Sequence, residues 1–334
     1  MAANWDILGH EWAANLLAQH IAQGEARHAY LFTGPAGVGR RTLALRFVQG
    51  LNCPQPIAPG QPCRQCRTCQ QIERQQHPDL AVVQSEQEGA TLKVDQVREL
   101  QRTLSLAPFQ SHYRIALLLR FQEANPNSQN ALLKTLEEAP DRAILLLTAD
   151  TAESLLPTIS SRCEILRLRP LRVESLVEAL QSRWGQSPEQ AARLAHLAGG
   201  RTGYALRMMA DSTLIDRREA WLDDLQTLLK APLRQRFSYA EKSTRSREKT
   251  ALLPELYRTW LTYWRDTLLV AAGAESPLTN LAQESEIRRL AERVGLEEAR
   301  TRTAALEHAL TQLNANVNPR LLTEILLLDW PFMN

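Results

Sequence analysis

The chain has 334 residues, 44% hydrophobic and 23% charged, with 39 Lys+Arg against 37 Asp+Glu. That is a globular composition with room for two or three domains, and so small a net charge excludes a bulk electrostatic demand for nucleic acid, leaving only local basic patches open. No uncharged apolar run is long enough to span a bilayer, and residues 1–11 lack the basic and apolar regions of a signal peptide, so a cytoplasmic protein with no membrane contact is expected.

In chain order, Ile7, Trp12, Leu16, Leu17 and Ile21 recur at helical spacing and predict an opening helix. His28 to Phe32 reads as a first strand. It runs into Gly34-Pro35-Ala36-Gly37-Val38-Gly39-Arg40-Arg41-Thr42, and a helix follows to about Leu51. A glycine-rich turn between a strand and a helix is the layout of a phosphate-binding loop, whose nucleotide-binding form is Gly-x4-Gly-Lys-Ser/Thr. Gly34 and Gly39 hold the outer glycine positions, with Gly37 between them. Arg40, however, stands at the lysine, and its wide planar guanidinium does not match the slot of a compact ammonium. Arg41 brings a cation where a hydroxyl should meet Mg²⁺. Thr42 carries a hydroxyl one residue late, about 100° round the helix. Gly34, Gly37, Gly39, Arg40, Arg41 and Thr42 are therefore expected to keep the loop's shape and to lose its metal and γ-phosphate chemistry.

Cys53-x9-Cys63-x2-Cys66-x2-Cys69 comes next, with Pro54, Pro56, Pro59, Gly60 and Pro62 forbidding a regular helix between the first two cysteines. Four thiolates so closely spaced suit a structural tetrahedral Zn²⁺ site with no open position. An iron–sulfur cluster is the competitor, but the Cys-Pro of ferredoxins is missing. Cys163, the fifth cysteine, is isolated.

A second strand is expected at Leu80–Val83, then a polar loop from Ser85 to Thr91, then an amphipathic helix from Val94. Arg114 to Arg120 reads as a third strand, with the uninterrupted apolar run Ile115 to Leu119 that a central parallel strand should have. Its end, Leu119-Arg120-Phe121, lacks the acids a working ATPase needs there, and Glu123 lies too far on to be an obvious substitute. Asn130 to Glu138 is a helix stopped by Pro140. Ala143–Thr148 is a fourth strand, Leu156–Cys163 a short helical segment, and Glu164–Leu168 a fifth strand. Strands alternating with helices predict a doubly wound parallel sheet.

These pieces together resemble the bacterial clamp-loader family of AAA+ proteins. The resemblance rests on the glycine loop, the four-cysteine insert, Asn130-Ala131-Leu132-Leu133-Lys134-Thr135-Leu136-Glu137-Glu138 and Ser161-Arg162-Cys163, and covers about the first 210 residues. It implies a zinc-bearing AAA+ domain over 1–168, a helical lid over 169–210 and a helical collar over 211–334 that joins subunits in a ring. The family's ATPase subunits, gamma or tau, keep the loop lysine and hydroxyl, Asp-Glu after the third strand, and a sensor arginine in Gly-x-x-Arg-x-Ala-Leu. Here the sensor stretch is Gly200-Arg201-Thr202-Gly203-Tyr204-Ala205-Leu206, with Gly203 at the arginine and Arg201 expected on another helix face. The resemblance further implies that Arg162 is an arginine finger supplied in trans to a gamma/tau neighbour. On this reading the chain is not an enzyme by its own site. It assembles with gamma/tau and delta subunits of DNA polymerase III in a hetero-pentamer that loads a sliding clamp on primed DNA. The alternative is a gamma/tau-like subunit that still binds or hydrolyses ATP through Arg40; a zinc-dependent DNA-binding protein is a third reading.

In the remainder, Ser187 caps a helix with Pro188 at its first position. Arg234, Arg236, Lys242, Arg245, Arg247 and Lys249 read as a solvated helical face. Trp260, Tyr263 and Trp264 read as core. The last helix, after Asn318-Pro319, carries Leu321, Leu322, Ile325, Leu326 and Leu328 round much of its circumference and is either buried at home or packed on neighbours.

Overall fold

The computed structural model describes residues 5–86, 89–314 and 317–333. Residues 1–4, part of the stretch compared above with a signal peptide, and 87–88, in the polar loop expected from Ser85 to Thr91, lie outside the described residues. Two compact units form: Met1–Leu171 with Arg201–Tyr204, and Arg172–Gly200 with Ala205–Asn334.

The first unit is built on five parallel strands, β1 (Ala29–Thr33), β2 (Leu80–Val83), β3 (Arg114–Leu118), β4 (Ala143–Ala149) and β5 (Glu164–Arg167). Their order is β2-β3-β4-β1-β5. β1 and β4 are buried at every residue, because helices cover both faces of the sheet. Tyr30, Phe32, Leu117 and Leu146 pack on one face against α1 (Glu11–Gln23) and α2 (Arg40–Asn52). Leu31, Leu118, Leu145 and Leu147 pack on the other against α4 (Val94–Leu104), α5 (Pro126–Glu137) and the short α6 (Pro157–Ser160). This is the predicted doubly wound sheet.

α2 is the central helix, and all of Leu43–Asn52 is buried, polar residues included. Each buried polar side chain has a partner. Asn52 exchanges two 3.0 Å hydrogen bonds with the backbone of Tyr113. The Arg46 guanidinium donates to the Trp5 carbonyl at 3.1 Å, to Gln49 at 2.9 Å and to Glu73.

Three boundaries differ from expectation for local reasons. The opening helix begins at Glu11, not Ile7, because Gly9 takes φ +84° and a Cβ there would overlap Leu171. Trp12 then faces outward, half exposed, while Ala13, Ala14 and Leu17 meet the core. An unpredicted helix, α3 (Arg67–Glu73), starts inside the cysteine motif, where the Cys66 sulfur caps it by accepting from Cys69 N. α5 starts earlier than Asn130, since Asn125 caps Ser128 N at 2.8 Å and Pro126 occupies the first turn.

The second unit is helical: α7 (Val173–Trp184), α8 (Pro188–Ala198), most of α9 (Thr202–Ala210), α10 (Thr213–Lys230), α11 (Leu233–Ser243), α12 (Arg247–Ala251), α13 (Leu253–Ala271), α14 (Glu284–Asn314, broken at Gly295) and α15 (Pro319–Leu328). The Ser187 hydroxyl caps α8 as expected. Trp260, Tyr263 and Trp264 are fully buried, and Trp260 meets Trp330 edge to face at 4.8 Å. Among the described residues no helix is long and apolar enough to cross a membrane.

Arg236 corrects the reading of a solvated basic face. It is 2% exposed, and its neighbours Arg234, Lys242, Arg245, Arg247 and Lys249 are exposed. Its Nε donates to the carbonyls of Leu228 and Ala231, Nη1 to Leu327 and Trp330, and Nη2 to Leu229 and Pro331. These are last-turn and post-helix carbonyls of α10 and α15; those of Leu228, Leu229 and Leu327 also accept a backbone N–H, from Ala231, Met333 and Trp330. One cation thus closes two helix ends, with the negative ends of both dipoles facing it. Charge composition could not separate this inward arginine from its solvated neighbours. Arg236→Met should take a buried donor from all six carbonyls and lower unfolding stability by about 3 kcal/mol or more. The exposed control Arg234→Met should stay within about 0.5 kcal/mol in the same urea titration.

Candidate functional site

The glycine loop sits where a parallel sheet places ligands, beyond the carboxyl end of β1 and between β4 and β5. Gly34 takes φ +140°, and a Cβ on it would overlap the Leu168 carbonyl that follows β5. Its N–H donates to the Asp150 carbonyl at 3.0 Å. Gly37 is equally confined: a Cβ would lie 2.9 Å from Tyr204, and its carbonyl accepts from Gly203 N at 2.8 Å. His10 closes the other side, with Nε2 donating to the Val38 carbonyl at 3.0 Å; a carbonyl only accepts, so the proton is on Nε2.

Arg40, at the lysine position, is 8% exposed. Its Nη1 donates to Asp150 Oδ1 at 2.8 Å, a charge-assisted bond. The residue directly after β4 therefore supplies, from within the chain, the anion that a phosphate would supply from outside. Arg41 and Thr42 lie on the exposed side of α2.

At the end of β3, Arg120 takes φ +52° and its N–H donates to Thr148 Oγ1 at 2.9 Å. A 3-10 turn over Phe121–Glu123 brings Glu123 back beside this strand end, closer than sequence distance implied. Its carboxylate is nonetheless engaged. Arg120 Nε binds both oxygens at 3.0 and 3.1 Å, Ser85 Oγ binds one, and Gly89 N donates at 2.8 Å. At the sensor position Gly203 contributes a backbone amide to the loop and no cation. Arg201 precedes α9 instead of lying on another of its faces, and its guanidinium stacks 4.6 Å from the Tyr204 ring centre.

Arg162 lies between α6 and β5, away from this loop, and about a third exposed. Its Nη2 stands 2.6 Å from Glu137 Oε1, and Nη1 donates to the Thr158 carbonyl at 3.0 Å. Cys163 packs under the sheet, where burial pushes its thiol up to about 12.

The four remaining cysteines come together. Their Sγ atoms all lie within 4.8 Å of one another, and Cys53 and Cys63 are 3.5 Å apart. A tetrahedral metal with bonds of ~2.3 Å needs sulfurs about 3.8 Å apart, so the donor set fits an ion. Backbone N–H groups of Cys63, Cys66 and Cys69 point at the sulfurs of Cys53, Cys63 and Cys66 at 3.4–3.5 Å. Burial pushes the Cys53 and Cys69 thiols up. Burial also raises Cys63, but the N–H groups of Cys66 and Gln65 outweigh it and bring that thiol down to about 6. The module is docked on α2: Gln49 Nε2 donates to the Cys69 carbonyl at 2.8 Å and to Glu73 at 3.0 Å, and Trp5 Nε1 to the Gly60 carbonyl at 2.9 Å.

Asp150, His10 and Gln49 escaped the sequence reading, and Glu137 entered it only within the Asn130–Glu138 motif and not as a partner of Arg162. Asp150 had one usable signal, an acid immediately following a buried strand. The others are recognisable only once distant segments meet.

A sheet in this order, with a glycine loop after β1, a cysteine-cluster insert after α2 and a helical C-terminal region, defines an AAA+-type module with an appended helical unit. A family model described as DNA polymerase III, delta subunit, matches residues 9–172, and one described as DNA polymerase III, delta subunit, C terminal, matches residues 223–331. The DNA polymerase III subunit delta' of Pseudomonas aeruginosa is 30% identical over 332 residues, 96% of this chain and 97% of that protein. That of Bacillus subtilis is 29% identical over 338 residues, 98% of each. The DNA polymerase III subunit tau of Escherichia coli is 34% identical over 176 residues, 53% of this chain and 27% of tau. The chain belongs to the delta' family of DNA polymerase III subunits.

The cysteine cluster should take up one divalent ion per chain. Its affinity should fall as pH drops, because the thiols must be deprotonated to ligate. Cys66→Ser should weaken retention at least about tenfold in a competition with a chromogenic chelator.

Proposed function

We propose that the chain is the non-hydrolysing delta' subunit of a clamp loader. It assembles with gamma/tau and delta subunits in a hetero-pentamer, and the complex loads a sliding clamp on primed DNA. The chain neither binds nor hydrolyses ATP in this reading. It contributes a zinc-bearing AAA+ domain over 1–168, a lid over 169–210 and a collar over 211–334.

The observation that carries this reading is the Arg40–Asp150 contact. A phosphate entering the loop would have to displace a half-exposed carboxylate from a buried cation, and then find no loop hydroxyl for Mg²⁺. The engagement of Glu123 and the glycine at position 203 point the same way. Zn²⁺ is the ion that four thiolates suit, and a closed shell makes it structural. Leu321, Ile325 and Leu328, each about half exposed along α15, supply the apolar face that a collar contact with neighbouring subunits would cover.

Arg162 is the group this subunit gives away. It is exposed enough to reach a neighbour, and an arginine placed on a transferring phosphoryl can accelerate transfer by ~10³–10⁵. The relatedness to tau supports a neighbour of the same fold with its own phosphate loop.

Calorimetric titration of the isolated chain with ATP, with and without Mg²⁺, should give no binding up to millimolar nucleotide. Micromolar Mg²⁺-dependent binding with phosphate release would instead favour a gamma/tau-like subunit working through Arg40. In the reconstituted loader, Arg162→Ala should lower ATP turnover at least about tenfold; unchanged turnover would remove the finger role.

A further inference from the structure

Arg162 is already held by its own chain. Glu137, the last residue of α5, presents Oε1 2.6 Å from Nη2, while the Thr158 carbonyl takes Nη1 at 3.0 Å. The Glu137 backbone is well fixed. Leu132 and Leu136 are buried in the core below it, and His28 Nε2 donates to the Leu136 carbonyl at 3.1 Å. The side chains are a different matter, with Arg162 36% and Glu137 51% exposed. A rigid platform thus carries a loosely solvated ion pair.

Both amino groups of the guanidinium are turned toward the chain's own oxygens. A phosphate on a neighbouring subunit needs the same planar donors, and a carboxylate competes for them with nearly the same geometry. A carboxylate left beside a phosphoryl group would also oppose the negative charge already there. Glu137 and a neighbour's phosphate are therefore alternative partners for one cation, not joint ones.

We propose that Glu137 is a positioning residue that latches Arg162 in the free subunit and releases it when a nucleotide phosphate on the adjacent subunit takes its place. This rests on the reading of Arg162 as a trans finger. Engagement then includes the loss of the Glu137 contact, which sets how much nucleotide is needed to draw the finger across, while the finger once engaged is unchanged. A partly exposed pair of this kind is worth a factor of about two to five in an equilibrium.

The test is steady-state ATP hydrolysis by the reconstituted loader carrying Glu137→Gln, Arg162→Ala or both. Glu137→Gln should lower KM for ATP by about two- to fivefold with kcat unchanged. It should have no effect in the Arg162→Ala background. A KM that stays put or rises in Glu137→Gln, or a kcat that falls with it, would overturn the latch while leaving the finger standing. Unchanged turnover in Arg162→Ala would overturn the finger and the latch with it. Unaltered melting of each full-length variant shows that the kinetics report engagement and not misfolding.

Discussion

The hydrogen bond between Arg40 and Asp150 is the contact on which the character of the first unit depends. A buried guanidinium cannot shed its proton, so it must be answered by an anion or by oriented carbonyls. In a phosphate loop that anion is normally the ligand. Here β4 lies beside β1, and the residue that follows β4 reaches the first residue of α2. The site consequently satisfies itself. Gly34, confined against the Leu168 carbonyl, and Gly37, confined against Tyr204, hold the loop in the shape that makes the contact available.

Much of this was legible in the chain. Glycines 34 and 39 around a strand-to-helix junction announce a loop of phosphate-binding shape, with Arg40 and Arg41 where its lysine and hydroxyl would stand. The cysteine spacing announces a cluster of four sulfurs able to hold a metal ion, because thiols close in sequence have few ways to stay apart in space. Uninterrupted apolar runs at Ile115–Leu119 and Ala143–Leu147 announce strands covered on both faces, as their burial bears out.

What stayed hidden depends on partners far away in sequence. Asp150 meets Arg40 across 110 residues, and Asn52 meets Tyr113 across 61. Arg46 and Gln49 look like surface residues on any helical wheel, yet they are buried because α3 docks on them through Glu73 and the Cys69 carbonyl. Glu123 was discounted on distance along the chain, and a single 3-10 turn removed that distance. Periodicity reports which face a residue shares with its neighbours. It does not report what a later segment will lay across that face.

Arg236 illustrates a different economy of charge. Among the described residues its partners are six carbonyls and no acid, and a carbonyl takes up no proton near neutral pH. Nor, among the described residues, is there a counter-ion for dissolved electrolyte to screen, and the cation itself is buried. The two helix ends it joins are thus fastened through carbonyl dipoles and not through an acid that a proton could neutralise. The tail of the molecule should therefore keep its grip under conditions that strip a thiolate cluster of its ion.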